Sequence, residues 1–289
     1  MKILDRLSVL SDEVSKDFRE ALDWIAAQQL HYVEVRMVDG VNVVNLADEG
    51  VEAVRREVVA RGLRISALAS PLFKCALDPS RPVATGDLFG NAQEDLPTHF
   101  AKLRRTLEIA RTLDVRFIRV FSFWRERDPQ AYETDVVTHL RDAAAQARRA
   151  EKVLLLENEN TCNGGYAEEV ARIVKGVDAP SVFRALWDPG NENYGGRSAF
   201  PEGYAHVKEI LAHVHLKDVI LEAGGRPRCV PIGSGQVRYL DQLRALEEDG
   251  YPGLYCLETH YIPPGGTAME GTARTLEGLR RVLAEGDLL

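Results

Sequence analysis

Four short apolar segments in the second half of the sequence each carry, at or near their end, a side chain that can bind a metal ion. They are residues 153–157, 183–188, 213–218 and 255–258. An apolar run that stops at a polar residue is typical of a parallel barrel strand, which delivers that residue at its carboxyl end. Four such strands would bring together Glu157, Asp188, His215 and Glu258. Three carboxylates and one imidazole make an oxygen-rich site that suits a divalent cation.

Each residue of this set also has an ordinary structural explanation. A glutamate after a strand is often solvated or caps a helix, and Asp188 precedes Pro189 and Gly190, as a turn residue would. A histidine in a strand is more often a hydrogen-bonded core residue than a ligand. The occurrence of all four on consecutive predicted strands favours one shared site. Mn2+ or Mg2+ fits this ligand set best, and the imidazole also allows Co2+ or Zn2+.

A cation in this site would act as a Lewis acid on a carbonyl and an adjacent hydroxyl of a sugar-like substrate. It would acidify the C–H bond between them, and two carboxylates could then remove and return the proton. Glu157 and Glu258 come from well-separated strands, so they are the predicted acid/base pair. The predicted outcome is epimerisation or aldose–ketose exchange.

The side chains of a strand alternate between its two faces, which places His213, His215 and Lys217 together and Asp218 on the opposite face. The three carboxylates exceed the charge of a divalent cation by one. Lys217 could therefore supply the positive charge that an anionic substrate oxygen needs, or it could be a solvated strand end.

Strand-like and helix-like segments alternate along the whole chain, with no evident hairpin. The alternation predicts an α/β fold with a parallel sheet, and eight pairs predict a closed (β/α)8 TIM barrel. A barrel of this kind takes ~250 residues, so one domain over residues 1–289 is expected. The predicted strands are residues 7–10, 32–36, 63–69, 115–121, 153–157, 182–187, 213–217 and 253–257. The predicted helices are residues 17–28, 47–60, 98–112, 131–150, 167–174, 202–211, 239–248 and 272–284.

Two long connections interrupt this alternation. Residues 71–96 follow the third strand and contain Pro79, Pro82, Gly86 and Gly90, which predicts a loop. Residues 125–129 follow the fourth strand. In a barrel the longer connection, residues 71–96, would lie over the carboxyl face, where active sites form. The longer one is either a cover for the substrate or a surface insertion without a role.

The composition limits the classes of partner. The net charge is −8, from 44 acidic and 36 basic residues, so nucleic acid is a poor partner. The four cysteines are scattered and form no C-x-x-C pair, which predicts a reducing compartment. The start of the chain is too charged for a secretory signal, and no apolar run is long enough to span a membrane. A cytoplasmic protein with a small-molecule substrate, able to form a homo-oligomer, is expected.

The ordered motifs of the chain resemble the xylose isomerase-like TIM-barrel superfamily, and within it the sugar-phosphate isomerase/epimerase group. The resemblance covers nearly the whole chain. It is carried by Leu156-Glu157-Asn158, Asp188-Pro189-Gly190-Asn191, His213-Val214-His215-Leu216-Lys217-Asp218, Pro231-Ile232-Gly233-Ser234-Gly235 and Gly250-Tyr251-Pro252-Gly253 before Leu257-Glu258. The resemblance implies one divalent cation held by Glu157, Asp188, His215 and Glu258, with the two glutamates as acid and base.

The resemblance also implies substrate contacts. Glu34 is similar to the glutamate common on the second strand of these barrels. Asn191 and Asn163 stand where ketose 3-epimerases carry a histidine and a further glutamate, so the chain departs from that pattern twice. Arg226 and Arg228 occupy a loop where relatives often place a basic substrate contact, although a solvated charge fits equally. The predicted substrate-binding set is Glu34, Asn191, His213, Lys217 and Arg228.

Several functions remain open at this point. Inosose dehydratases share the barrel and a similar seventh strand; in such a lyase His213 or Lys217 could protonate the leaving hydroxyl. Abasic-site endonucleases share the superfamily but need further histidines, and Asn191 and the segment Arg228-Cys229-Val230 stand where such ligands would be expected. A barrel that binds a sugar without converting it is the remaining alternative.

Overall fold

The computed structural model describes residues 2–289, so Met1, the first residue of the predicted domain, lies outside the described part. Eight parallel strands close into a barrel in which each strand pairs with its neighbours in chain order. The predicted TIM barrel is confirmed. The strands are β1 Leu7–Leu10, β2 Tyr32–Val35, β3 Arg64–Leu68, β4 Phe117–Val120, β5 Val153–Glu157, β6 Phe183–Trp187, β7 Leu211–Leu216 and β8 Leu254–Leu257.

Helices surround the barrel because each presents one apolar stripe to the outer faces of the strands. Several begin at a side-chain cap: Asp17, Asp95 and Thr267 each accept a hydrogen bond from a backbone N–H of the first turn. The helices are α1 Phe18–Ala27, α2 Asp48–Ala60, α3 Leu96–Thr112, α4 Glu133–Arg149, α5 Ala167–Val177, α6 Pro189–Tyr194, α7 Tyr204–Val207, α8 Tyr239–Glu248 and α9 Ala268–Glu285. None of those within residues 2–289 is both long and apolar enough to cross a bilayer.

The strands are buried on both faces, which explains their almost continuous apolar sequence. Their outward side chains pack against the helices in one large core. Several inward side chains are charged or polar although fully enclosed, among them Glu34, Arg119, His213 and His215. Buried charges of this kind require partners, and the partners are found at the carboxyl end of the barrel.

The expectation that the chain has no hairpin is wrong. Residues Met37–Val38 pair with Val41–Asn42 across a two-residue turn, and Asp218–Leu221 pairs with Pro227–Val230. Asp39 and Gly40 both have a positive φ, the conformation that an Asp-Gly hairpin turn requires. Both hairpins extend from the carboxyl ends of strands, which is why they leave the barrel order unchanged.

The predicted helix over residues 202–211 is confirmed only over its first part, residues 202–207. A π-helical turn, Ala199–Gly203, leads into the single turn α7, and β7 already begins at Leu211. Conversely, α6 was not predicted, although Asp188 as N-cap and Pro189 in the first turn are typical helix-start signals. Residues 71–95 form an irregular segment, as predicted, with one isolated bridge from Val83 to Glu126.

Candidate metal centre

The four predicted ligands lie together at the carboxyl end of the barrel. Glu157 ends β5, His215 is on β7, and Asp188 and Glu258 directly follow β6 and β8. One ligand atom from each residue can be chosen so that all four atoms lie within 4.8 Å of one another. The residues are between 0% and 3% exposed. Residues far apart in the sequence therefore share one potential coordination sphere.

The ring of His215 is oriented by the carboxylate of Glu34, which is not one of the four predicted ligands. Its Nε2 lies 2.9 Å from Oε1 of Glu34, while its Nδ1 faces Glu157 Oε1 at 3.3 Å and Glu258 Oε2 at 3.2 Å. Metal-binding histidines commonly donate their other ring N–H to a carboxylate, which fixes the ring and the tautomer. The arrangement leaves Nδ1 as the atom that can bind a cation. Glu34 also contacts Nε2 of His213 at 2.7 Å.

Asp188 combines two roles in one side chain. Its Oδ1 accepts a hydrogen bond of 3.0 Å from the backbone N–H of Asn191 and so caps α6. Its Oδ2 is buried without a hydrogen bond among the described residues, although the Lys217 ammonium lies 2.7 Å away. A buried carboxylate oxygen with a charged neighbour but no hydrogen bond can become the ligand of a cation that displaces the ammonium. The backbone of Asp188 is held by Asn158, whose amide both donates to and accepts from it.

Three cations surround these carboxylates. Arg119 Nη1 lies 3.1 Å from Glu157 and 3.3 Å from Glu258, Arg36 Nη1 lies 3.1 Å from Glu258, and Lys217 Nζ lies 3.4 Å from Glu258. Burial disfavours the charged form of Glu258, but Lys217 and His215 outweigh it and hold its pKa well below the usual range. Burial dominates at Asp188 and raises its pKa to about 6, in spite of Lys217.

Sequence reasoning missed both arginines. Arg36 follows β2 and is held by Asp12 and Glu13, each at 2.9 Å. Arg119 stands inside β4 and is 1% exposed. Its presence in the otherwise apolar run Phe117-Ile118-Arg119-Val120 was a usable signal, because a charge at such a position requires buried partners.

A cavity of about 260 Å³ lies beside the ligand group. Asn191 and Lys217, both predicted substrate contacts, line it. Glu34 and His213 do not, because both are 0% exposed behind His215. Arg228 does not line it either: together with Arg226 it pairs with Glu222 on the exposed hairpin. Asn163 holds a loop, since its amide donates to the carbonyls of Ser122 and Trp124.

Three further residues of the cavity wall were not predicted, namely Lys74, Glu159 and His260. His260 Nε2 lies 3.6 Å from Glu258 Oε1 and 3.5 Å from Glu13 Oε1. All three lie on connections after strands. A short motif read along the sequence cannot show which loop side chains turn inward.

Comparison with solved structures confirms the fold. The IOLI protein, crystallised with a bound zinc atom, superposes with a TM-score of 0.77 at 16% identity and 99% coverage of both chains. The 3-keto-D-glucoside 4-epimerase of E. coli matches with a TM-score of 0.71 at 16% identity, covering 96% of this chain and 99% of the other. A probable 3-DHS dehydratase from Bacillus anthracis matches with a TM-score of 0.71 at 15% identity, covering 93% and 97%.

A sequence search found no match among curated proteins. The model of one protein family, described as xylose isomerase-like TIM barrel, matches residues 22–282. That match spans most of the barrel, from within α1 to within α9. The chain therefore belongs to the xylose isomerase-like TIM-barrel family.

Proposed function

We propose that this protein is a divalent-metal-dependent isomerase or epimerase of a sugar, a sugar phosphate or a related polyol. One observation carries the proposal: Glu157 and Glu258 approach the same point from β5 and β8, and that point is also where Asp188 and His215 converge. Two carboxylates around one site, next to a cavity that Asn191 and Lys217 line, suit the removal and return of a proton.

The ligand set favours Mg2+ or Mn2+, because three of its four members are carboxylates, while the imidazole would also accept Co2+ or Zn2+. A bound cation would act as a Lewis acid on the carbonyl and hydroxyl oxygens of the substrate. Glu34 would keep the ring of His215 in the orientation that presents Nδ1.

The acid/base step falls to the two glutamates. Each carboxylate has two oxygens: Glu157 Oε1 and Glu258 Oε2 face His215, and the other oxygen of each contacts Arg119. One oxygen could therefore bind the cation while the other exchanges a proton with the substrate. Arg119 contacts both carboxylates and fixes their separation. Removal of a proton by one glutamate and its return by the other would invert a carbon centre; return to the adjacent atom would exchange aldose and ketose.

A dehydratase remains the second candidate. Lys217 lines the cavity, so its ammonium could protonate a leaving hydroxyl; His213 is unsuited to this role, because it is enclosed and contacts Glu34. The structural similarity to a probable dehydratase agrees with this alternative. An abasic-site endonuclease is disfavoured, because such an enzyme needs further metal-binding histidines. The two candidate metal groups within residues 2–289 use the same histidine, His215.

The direct test is a turnover screen of ketoses, aldoses and inososes in D2O with Mn2+ or Mg2+, with and without a chelator. Deuterium entering a substrate carbon without loss of water, abolished by the chelator, is the expected result. Loss of water with an unsaturated product would identify the dehydratase instead. Turnover that persists in the chelator, or the absence of exchange and turnover with every class, would overturn the proposal.

A further inference from the structure

Lys74 and Glu159 form a charged pair on the wall of the cavity, outside the group of predicted metal ligands. Lys74 lies in the irregular segment after β3, and Glu159 lies two residues beyond the end of β5. Both line the cavity. Lys74 Nζ is 3.6 Å from Glu159 Oε2, too far for a direct hydrogen bond. The pair is therefore close enough to attract but leaves hydrogen-bonding capacity on both partners.

The ammonium of Lys74 is buried and only partly satisfied. The side chain is 2% exposed and lies over the rings of Phe89, Phe121 and Trp124, at 4.6, 4.4 and 5.8 Å from their centroids. The aromatic faces attract the charge but leave its N–H groups without conventional acceptors. Within residues 2–289 the carbonyl of Asp87, at 3.2 Å, is its one hydrogen-bond acceptor. An ammonium has three N–H donors, so donors remain for a ligand.

Glu159 is arranged in the complementary way. Its Oε1 accepts a hydrogen bond of 2.9 Å from the hydroxyl of Thr161, while its Oε2 faces Lys74. The wall thus offers a free donor beside a free acceptor. A hydroxyl group matches such a pair, since it accepts one hydrogen bond and donates another.

The charges on the cavity wall balance before a ligand enters when His260, which also lines the cavity, is neutral. Lys74 and Lys217 contribute two positive charges, and Asp87 and Glu159 two negative ones. Each lysine already lies beside a carboxylate, Glu159 in one case and Asp188 in the other. The lining contains no arginine, the residue that best binds phosphate through two parallel hydrogen bonds. A phosphate here would lie close to two carboxylates, and no guanidinium would be present to bind it through paired hydrogen bonds.

We propose that Lys74 and Glu159 form a hydroxyl-binding subsite that selects a neutral, unphosphorylated sugar or polyol. This inference rests on the proposed function for the class of ligand and adds to it the residues that choose within that class. The pair would bind a hydroxyl distant from the reacting carbon. Its loss should therefore weaken binding and raise KM, with a much smaller effect on kcat.

The test uses Lys74→Met and Glu159→Gln, with Lys102→Met as the matched control. Lys102 holds the same irregular segment through Glu94, at 2.7 Å, and Asn91, at 2.9 Å, but does not line the cavity. Binding of neutral ketohexoses and inososes, and of the 6-phosphates of the ketohexoses, is measured calorimetrically with Mn2+ present. Thermal melting checks that each variant is folded.

We expect at least one neutral ligand to bind more tightly than its phosphate. Lys74→Met and Glu159→Gln should each weaken that binding by at least about 10-fold, and Lys102→Met should leave it unchanged. Tighter binding of the phosphates, binding of no neutral ligand, or unchanged affinity in both folded variants would overturn the subsite. Neutral ligands that bind through the pair without being converted would instead refute the proposed function alone.

Discussion

The candidate site has two halves, the group of predicted metal ligands and the cavity beside it, and these halves are built from different parts of the fold. The metal half uses side chains at or next to the ends of strands, namely Glu157, Asp188, His215 and Glu258, backed by a buried layer of Glu34, Arg36 and Arg119. The other half, with Lys74, Glu159 and His260, comes from connections after strands. We infer from this difference that the strands would fix the geometry of the proposed chemical step, while the connections would determine which substrate is held there.

The largest expected effect comes from the metal half. Glu157→Gln and Glu258→Gln should each lower kcat by at least ~100-fold, because an amide cannot take or return a proton at this position. Steady-state kinetics at saturating Mn2+ measures the loss. Glu126→Gln is the matched control, since Glu126 is equally buried but pairs with Arg81 away from the ligand group. Near-normal kcat in either glutamate variant would refute its assigned role.

The next largest effect should come from Glu34, which lies behind the predicted metal ligands. Glu34→Gln removes the negative charge that faces Nε2 of His215 and of His213. We expect Mn2+ affinity to fall by roughly 10–100-fold, the usual cost of losing a partner behind a metal ligand. Calorimetric titration of metal-free protein measures it. Equal Mn2+ affinity in the variant and the unaltered protein would show that Glu34 serves the fold alone.

The smallest effect concerns a buried carboxylate just outside the metal half. Burial raises the pKa of Glu192 to about 7, outweighing the hydrogen bond from the Ala167 N–H and the charge of Arg197. The folded state therefore holds this proton more tightly than the unfolded state, whose ordinary value is 4.5. The resulting stabilisation is complete below the unfolded value and is lost as the pH rises through about 7.

Glu192→Gln removes this titration. Between pH 6 and pH 8 the unaltered protein should lose roughly 1 kcal/mol more stability than the variant. Urea unfolding at both pH values measures the difference. Parallel losses in the two proteins would show that Glu192 keeps an ordinary pKa. The expected difference between Glu192 and Glu258, whose carboxylate is surrounded by cations, would then be wrong.

The metal half of the site could be predicted from the sequence, because side chains alternate regularly along a strand. An apolar run with one ligand residue at its carboxyl end specifies both the direction and the position of that side chain. The same alternation correctly placed Lys217 on the cavity side and Asp218 on the other, where Asp218 accepts hydrogen bonds from the backbone N–H groups of Gly233, Gly235 and Val237. The closed barrel followed from the alternation of strands and helices.

The connections have no comparable periodic pattern in their sequence. Lys74 lies in a segment without regular structure, so no period indicates where its side chain points. The two basic residues that the sequence did suggest, Arg226 and Arg228, lie on an exposed hairpin edge and pair with Glu222. The Asp39-Gly40 dipeptide is a hairpin-turn signal. The hairpin was nevertheless not predicted, because the chain was divided into eight strand–helix pairs. Tertiary packing, rather than local pattern, decides which loop residues reach the cavity.

We infer that Glu157, Asp188, His215 and Glu258 hold one cation. A calorimetric titration of the metal-free protein and its Asp188→Asn variant with Mn2+ tests this directly. We expect one ion bound per chain in the unaltered protein and an affinity lower by more than about 100-fold in the variant, since even partners behind the ligands contribute 10–100-fold. No Mn2+ binding to the unaltered protein, or equal binding in both, would contradict it.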